Sequence, residues 1–227
     1  MKLSIIVPAL NEERTIREVL ERVIESPYEK EIIVVVDGST DSTPAILKAL
    51  QARHEFLVVL RHPERRGKGA ALRTGCAAAH GDIIIIQDAD GEYHPEEYPL
   101  LIRPITRGWA DAVYGSRFVG AHRVFLLSHR LGNWVVNTAA NVLYDTMLTD
   151  LETGFKAFRR EVLNQFQLRS NDFRIEVELT AKLFKCGLRV YEVPISYSGR
   201  SYAEGKKLTW KDGVLALWAL LVFRFCD

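Results

Sequence analysis

Short apolar runs alternate with amphipathic stretches through the first half of the chain. Residues 3–7, 32–36, 56–60 and 83–86 are rich in Ile, Val and Leu, are bounded by polar turns, and each reads as a strand. Their near-continuous apolarity marks strands covered on both faces, as inside a mostly parallel sheet. Residues 112–114 form a shorter fifth run. The intervening segments have helical spacing. The first helix is expected near Asn11, a good N-cap, with Glu12 and Glu13 in the first turn where the dipole favours acids. Asp41-Ser42-Thr43-Pro44 opens the second, with Pro44 at a first-turn position, and residues 70–79 form the third. This rhythm predicts an α/β fold built on a doubly wound, mostly parallel sheet flanked by helices.

The second half changes character. A long helix over 128–147, a short strand over 154–158, a helix over 175–185 and a strand over 189–196 are expected. Residues 198–207 are polar, with glycines and cations, and read as a mobile flap. A terminal helix over 210–225 carries Trp210, Trp218, Phe223 and Phe225 beside Lys211 and Arg224, a mixture that suits in-plane membrane contact. An ordinary helix packed on the core would look the same. No linker or repeat divides the chain, so one domain over 1–209 followed by a helix over 210–227 is expected.

Composition narrows the classes. The 227 residues are 48% hydrophobic and 26% charged, which is ordinary for a globular protein, and a net charge of +1 gives no support to a nucleic-acid role. Cys76, Cys186 and Cys226 are scattered and lack metal spacing, which points to a reduced, cytoplasmic chain. The apolar start is too short for a signal peptide. No run reaches the ~20 apolar residues that span a bilayer.

The candidate chemistry lies where strands end. The strand over 83–86 runs into Gln87-Asp88-Ala89-Asp90, and two acids at i and i+2 point to one side where strand geometry persists. Open α/β sheets bind ligands at this carboxyl edge, and paired carboxylates suit a hard divalent cation that bridges to phosphates. The other distinctive loops also follow strands. Pro8-Ala9-Leu10-Asn11-Glu12 follows the first, Asp37-Gly38-Ser39 the second and Gly67-Lys68-Gly69 the third. That layout offers an edge for base and ribose, a cation for a diphosphate and space beyond for a sugar.

These segments resemble glycosyltransferase family 2, the inverting enzymes of GT-A fold, and within it the dolichyl- and polyprenyl-phosphate sugar synthases. The matching residues are Ile6-Val7-Pro8-Ala9-Leu10-Asn11-Glu12-Glu13, Asp37-Gly38-Ser39-Thr40-Asp41, Arg66-Gly67-Lys68-Gly69-Ala70, Gln87-Asp88-Ala89-Asp90-Gly91-Glu92-Tyr93 and Gly115-Ser116-Arg117-Phe118. Thr153-Gly154-Phe155-Lys156 and residues 191–197 follow in order. The resemblance implies that Asp88 faces nucleoside and ribose while Asp90 binds Mg2+ or Mn2+ with the diphosphate. Glu92 is then either a further metal ligand or a helix-entry acid before Pro95. Pro8, Ala9, Asn11 and Glu12 would line the base and ribose pocket, with Asn11 also wanted as a cap. Lys68 and Gly69 would let ammonium and backbone approach the phosphates. The family usually carries two acids before the glycine of Asp-Gly-Ser, whereas Val36 precedes Asp37 here. Assignment of a uridine or guanosine donor therefore loses its usual reader, and Asp37 or backbone groups would take over.

On the acceptor side, Arg117 and Arg130 resemble the arginines that hold the acceptor phosphate, a task suited to a planar, permanently charged fork. His122, Arg123 and His129 lie nearby, and Arg123 reads as a solvated turn. A phosphate acceptor is already anionic, so no strong base is needed. With a hydroxyl acceptor, Asp150 or Glu152 would have to take its proton; otherwise they position groups or orient Arg130. Arg200, Lys206 and Lys207 resemble a loop that closes over the donor diphosphate, Arg200 foremost. The expected function is metal-dependent, inverting sugar transfer from a nucleotide sugar to a polyprenyl phosphate, by an enzyme peripheral on the cytosolic face of a membrane. Two rivals are the same donor chemistry on a soluble or protein hydroxyl, and a non-catalytic nucleotide-sugar-binding protein that docks on membranes. A sugar-1-phosphate nucleotidyltransferase would need a glycine-rich, arginine-bearing loop after the first strand, and Pro8-Ala9-Leu10-Asn11 is not one.

Overall fold

A computed structural model describes residues 1–124, 126–199 and 210–226. The strands are β1 (Leu3–Ala9), β2 (Lys30–Asp37), β3 (Leu57–His62), β4 (Ile83–Ile86), β5 (Ala112–Ser116), β6 (Lys156–Arg159) and β7 (Val190–Pro194). The helices are α1 (Ile16–Glu25), α2 (Thr43–Gln51), α3 (Lys68–Ala77), α4 (Tyr98–Thr106), α5 (Leu127–Tyr144), α6 (Arg174–Lys185) and α7 (Trp210–Phe225). The strands form one sheet in the order β3-β2-β1-β4-β6-β5-β7. β2, β1, β4 and β3 pair in parallel, as do β5 and β7, whereas β6 runs antiparallel to both β4 and β5. The expected GT-A architecture is therefore present, a mostly parallel sheet with helices on both faces.

Strand alternation builds two cores from one sheet. Ile5, Val7, Ile32, Val34 and Ile85 face α1, α2 and α4 through Val19, Leu20, Leu47 and Leu101. Ile6, Ile33, Val35, Ile84 and Ile86 face the opposite way, onto Ala71 and Leu72 of α3 and Ile175 and Leu179 of α6. A third cluster joins Val136 and Ala140 of α5, Val177 of α6, and Ala216, Ala219 and Leu220 of α7. The reversal of β6 brings a further loop to the carboxyl edge of the sheet. Its first residue, Lys156, pairs with Ile86 and Tyr114, so the loop that enters β6 lies at the same edge as the loops that leave β4 and β5.

Several boundaries differ from expectation for local reasons. Asn11 does not cap α1, which starts at Ile16 after Thr15. Asn11 has φ +53° and its Oδ1 accepts from the Thr40 amide at 2.9 Å, so its side chain ties two loops together instead. Glu12 and Glu13 precede the helix; the Glu12 carbonyl receives the Thr15 and Ile16 amides. The segment over 95–106, with prolines at 95, 99 and 104, forms a 3-10 turn and then α4, which apolar periodicity did not reveal.

At the opposite edge of the sheet, Glu31 is buried and accepts from Ser4 Oγ at 2.5 Å, the His80 and Gly81 amides, and Lys2 Nζ at 3.0 Å. Burial alone would raise its pKa, but the hydroxyl, the amide and the ammonium overcome it and lower the value to about 2. A depressed carboxylate stabilises the fold above its unfolded pKa and loses that contribution as pH falls towards its folded one. Glu31→Gln should therefore cost about 2–3 kcal/mol in denaturant unfolding at pH 7. The gap from wild type should narrow between about pH 5 and pH 2; a gap that stays constant over that range would refute the assignment.

Candidate active site

A cleft of roughly 960 Å³ opens along the carboxyl edge of the sheet. Pro8, Ala9, Glu12, Asp37, Arg65 and Lys68 line one end, Asp88, Asp90, Glu92, Tyr93, Glu152 and Gly154 the middle, and Arg117, His129 and Asn133 the far side. Beyond these, Leu131, Val135, Val136, Val214 and Leu217 form an apolar wall from α5 and α7.

The end of the cleft lined by Pro8, Ala9 and Glu12 is built by loops that hold one another. Ser39 Oγ accepts from the Asn11 amide, Thr43 Oγ1 from the Glu12 amide and Asp41 Oδ2 from the Glu13 amide, so the turns after β1 and β2 are laced together. Thr15 Oγ1 donates to the Ala89 carbonyl at 2.8 Å and fixes the Asp88–Asp90 turn to the same frame. Asp37 is buried, and its carboxylate accepts from the Arg66 and Gly67 amides and pairs with His62 Nδ1 at 2.7 Å. These bonds shape the Gly67 turn, and Asp37 also lines the cleft. Gly67 has φ +101°, and a Cβ there would sit 2.3 Å from the Asn171 carbonyl oxygen, so only glycine fits. Asn11 and Gly69 do not line the cleft; Gly69 packs on the backbone of Ser170 and Asn171.

Asp88 and Asp90 both reach the cleft. The Lys68 ammonium lies 2.8 Å from Asp88 Oδ1 and 3.1 Å from Glu176 Oε1. Burial works against that ammonium, but Asp88 and Glu176 outweigh it and hold its pKa above the usual lysine value. Glu176 in turn pairs with Lys156, a fully buried lysine whose Nζ also donates to the carbonyls of Leu151 and Thr153. Burial lowers the Lys156 pKa against the pull of Glu176. Glycine at 154 keeps Asp88 accessible, because a Cβ would lie 2.1 Å from Asp88 Oδ2.

The hard oxygens of Asp88 and Asp90 suit a divalent cation, but among the described residues no group of three or more His, Cys, Asp or Glu could hold one by itself. A cation here fits if substrate oxygens and water complete its shell. Glu92 is nearly buried, and its Oε2 accepts from the Tyr197 hydroxyl at 2.6 Å, which anchors the segment after β7.

The far side of the cleft is centred on Arg117, one residue beyond β5. Its amide and Nε donate to Asp150 Oδ2 at 2.9 and 2.7 Å, and its Nη2 donates to Asp150 Oδ1 at 2.6 Å. Asp150 is fully buried, and its own amide donates to Glu192. Burial opposes the Arg117 charge, yet Asp150 raises its pKa well above the usual value. Arg117 lies over the rings of Phe118 and Tyr197. Arg130 is exposed and sits 4.2 Å from the Phe118 ring centre, outside the cleft lining. Asp150 thus orients Arg117 and not Arg130. Glu152 lines the cleft, and burial raises its pKa against the nearby Arg117. Arg200, Lys206 and Lys207 lie outside the described residues.

The site also holds His62 and Glu176, which motif reading passed over, and Lys156, which it quoted within a motif without a role; each acts behind a motif residue. The detectable signal was an ionisable side chain inside an otherwise apolar segment, as Lys156 is between Phe155 and Phe158.

The model of glycosyl transferase family 2 matches residues 4–166. A polyprenol monophosphomannose synthase of Mycolicibacterium smegmatis is 30% identical over 89% of this chain and 79% of its own. A UDP-N-acetylglucosamine–dolichyl-phosphate N-acetylglucosaminyltransferase of Methanococcus voltae is 29% identical over 98% of this chain and 96% of its own. Among solved structures, glucosyl-3-phosphoglycerate synthase of Mycobacterium tuberculosis, in complex with Mn2+, UDP and glucosyl-3-phosphoglycerate, superposes with a TM-score of 0.75. That pair is 25% identical over 98% of this chain and 79% of the other.

Proposed function

This chain belongs to glycosyl transferase family 2 and is a glycosyltransferase, and from that premise we propose that it transfers a sugar from a nucleotide sugar to a polyprenyl phosphate with inversion. The observation that carries the reading is the continuity of one cleft, from the acids of the β4 turn past Arg117 to the apolar wall of α5 and α7. A lipid phosphate asks for that combination, a cation for the head group and hydrocarbon-like surface for the tail. The names of the two lipid-acting relatives support it.

A phosphate oxygen of the acceptor attacks the anomeric carbon as the bond from that carbon to the diphosphate breaks, and the nucleoside diphosphate leaves. Asp90 with Asp88 would hold Mg2+ or Mn2+, whose charge would offset that growing on the leaving diphosphate. Lys68 lies beside Asp88 to meet the phosphates, and Pro8, Ala9 and Glu12 line the nucleoside end. Arg117, pre-oriented by Asp150, holds the acceptor phosphate. Because the nucleophile is already charged, no side chain need remove a proton from it.

Peripheral attachment to the cytosolic face of a membrane belongs to the same reading. Leu127, Leu131 and Trp134 of α5 and Val214, Trp218 and Leu221 of α7 are exposed, with Trp134 at 60% and Trp218 at 62%. No helix among the described residues is long and apolar enough to cross a membrane. Contact would therefore be in-plane, along these two stripes.

A second reading, transfer to a hydroxyl, is favoured by Glu152. A carboxyl in the cleft with a raised pKa is a better proton acceptor than an ordinary one. One assay separates the two. The purified protein is incubated with Mn2+ or Mg2+, a panel of labelled nucleotide sugars, and either short-chain polyprenyl phosphate in vesicles or soluble hydroxyl acceptors. Label should enter the organic phase only when metal and lipid phosphate are both present. Label moving only to the soluble hydroxyl compounds would move the assignment to the second reading and make Glu152 its base.

A further inference from the structure

Lys156, Glu176, Lys68 and Asp88 form a chain of alternating charge that runs from the interior to the cleft. Its inner end is rigid. Lys156 is fully buried and is held by Glu176 and by the carbonyls of Leu151 and Thr153. Its outer end is not closed in the same way. Glu176 Oε1 accepts no well-directed hydrogen bond, and its contact is the Lys68 ammonium at 3.1 Å. Lys68 sits closer to Asp88, at 2.8 and 3.0 Å from the two carboxylate oxygens. The ammonium thus stands between two carboxylates, on a side chain 14% exposed at the cleft.

This arrangement conflicts with a divalent cation on Asp88. Two cations at ion-pair distances from one carboxylate repel strongly where solvent is scarce, and the repulsion is relieved only when anionic oxygens come between them. We propose that Lys68 is a displaceable internal counter-cation. It neutralises Asp88 in the donor-free enzyme and turns to the donor diphosphate when the cation and donor arrive together. Glu176, pinned by Lys156, is the positioning residue that keeps the ammonium within reach of both. The cation then binds weakly to the empty cleft and tightly with nucleotide. This rests on the reading that Asp88 faces the cation and the diphosphate.

The test is Mn2+ binding read by electron paramagnetic resonance, with no turnover involved, in the presence and absence of UDP or GDP. Wild-type protein should bind Mn2+ more tightly with nucleotide than without. Lys68→Met should tighten Mn2+ binding to the nucleotide-free protein by about tenfold or more, because the competing charge is gone. It should also shrink the mutual enhancement of Mn2+ and nucleotide, which linkage requires to be reciprocal. Glu176→Gln should do the opposite and weaken nucleotide-free Mn2+ binding several-fold, since Lys68 is then left to Asp88 alone. The double variant Lys68→Met/Glu176→Gln removes one charge of each sign, which guards against misfolding from imbalance, and should keep the tighter Mn2+ binding. Unchanged or weaker Mn2+ binding in both the single and the double lysine variants would mean that Lys68 is a fixed structural counter-ion. If Mn2+ and nucleotide still enhance each other normally in those variants, only the counter-cation idea falls. If no form binds Mn2+ even with UDP or GDP, the cation reading of Asp88 falls with it.

Discussion

Asp90→Ala is expected to reduce sugar transfer by about 10³-fold or more while leaving the fold intact. The residue sits on the turn after β4, half-exposed at the cleft, where its carboxylate accepts from the Glu92 amide at 3.2 Å. Its carboxylate stands at the cleft and not in the apolar core, so thermal unfolding should shift by no more than a few degrees. The catalytic loss comes from charge. A leaving diphosphate gathers negative charge as the anomeric bond breaks, and a carboxylate-held cation stabilises it more in the transition state than in the ground state. Donor affinity in the presence of Mn2+ should fall along with transfer. Transfer near the wild-type rate, with Mn2+ dependence unaltered, would remove Asp90 from the metal site.

The second large effect is expected at Asp150, and there it is stability that should give way. Asp150→Ala leaves the Arg117 guanidinium nearly buried without the carboxylate that takes its Nε and Nη2. Breaking one side of a buried pair costs about 3–5 kcal/mol, because the remaining charge is stranded. Removing both, in Arg117→Ala/Asp150→Ala, should recover part of that loss in thermal unfolding without restoring transfer to polyprenyl phosphate. The pattern distinguishes two roles. As the holder of Arg117, Asp150 couples to it in a double-mutant cycle and its loss raises the requirement for acceptor. A general base at this position would instead show a lost kcat, an altered pH profile and little coupling to Arg117 in stability. Finding the latter would overturn the placement of the acceptor phosphate at Arg117.

The parallel part of the sheet was legible because its strands are buried on both faces and therefore read as unbroken apolar runs. Ile83–Ile86 is recovered residue for residue, and the loops after β1 to β4 lie together as the βαβ rhythm requires. Direction was not legible at β6, since a short apolar strand carries no mark of which way it points, and the reversal depends on partners far away in the chain. Asn11 misled for a related reason. A side chain able to cap a helix can equally bond an amide across a loop, and at φ +53° it bonds Thr40. Among the site residues, Asp88, Asp90, Lys68 and Arg117 announce themselves by spacing and position. Glu176 and His62 do not, because their meaning lies in the neighbour that each one holds. Asp37, expected at the nucleotide base, is engaged by two backbone amides and an imidazole.

The reversed strand also bears on how the molecule is assembled. β2 pairs with β1 and β3, its neighbours in the chain, whereas β4 must reach back to β1, and β6 must insert between β4 and β5 by joining residues 156–159 to residues 83–86 and 112–114. Such distant pairings pay their loop-closure entropy before any contact rewards them, so they form late. The turn that this strand carries places Gly154 against Asp88 and Asp150 against Arg117. The two sides of the cleft therefore mature in one event. A chain caught before that strand zips in would have most of a sheet and neither half of an enzyme.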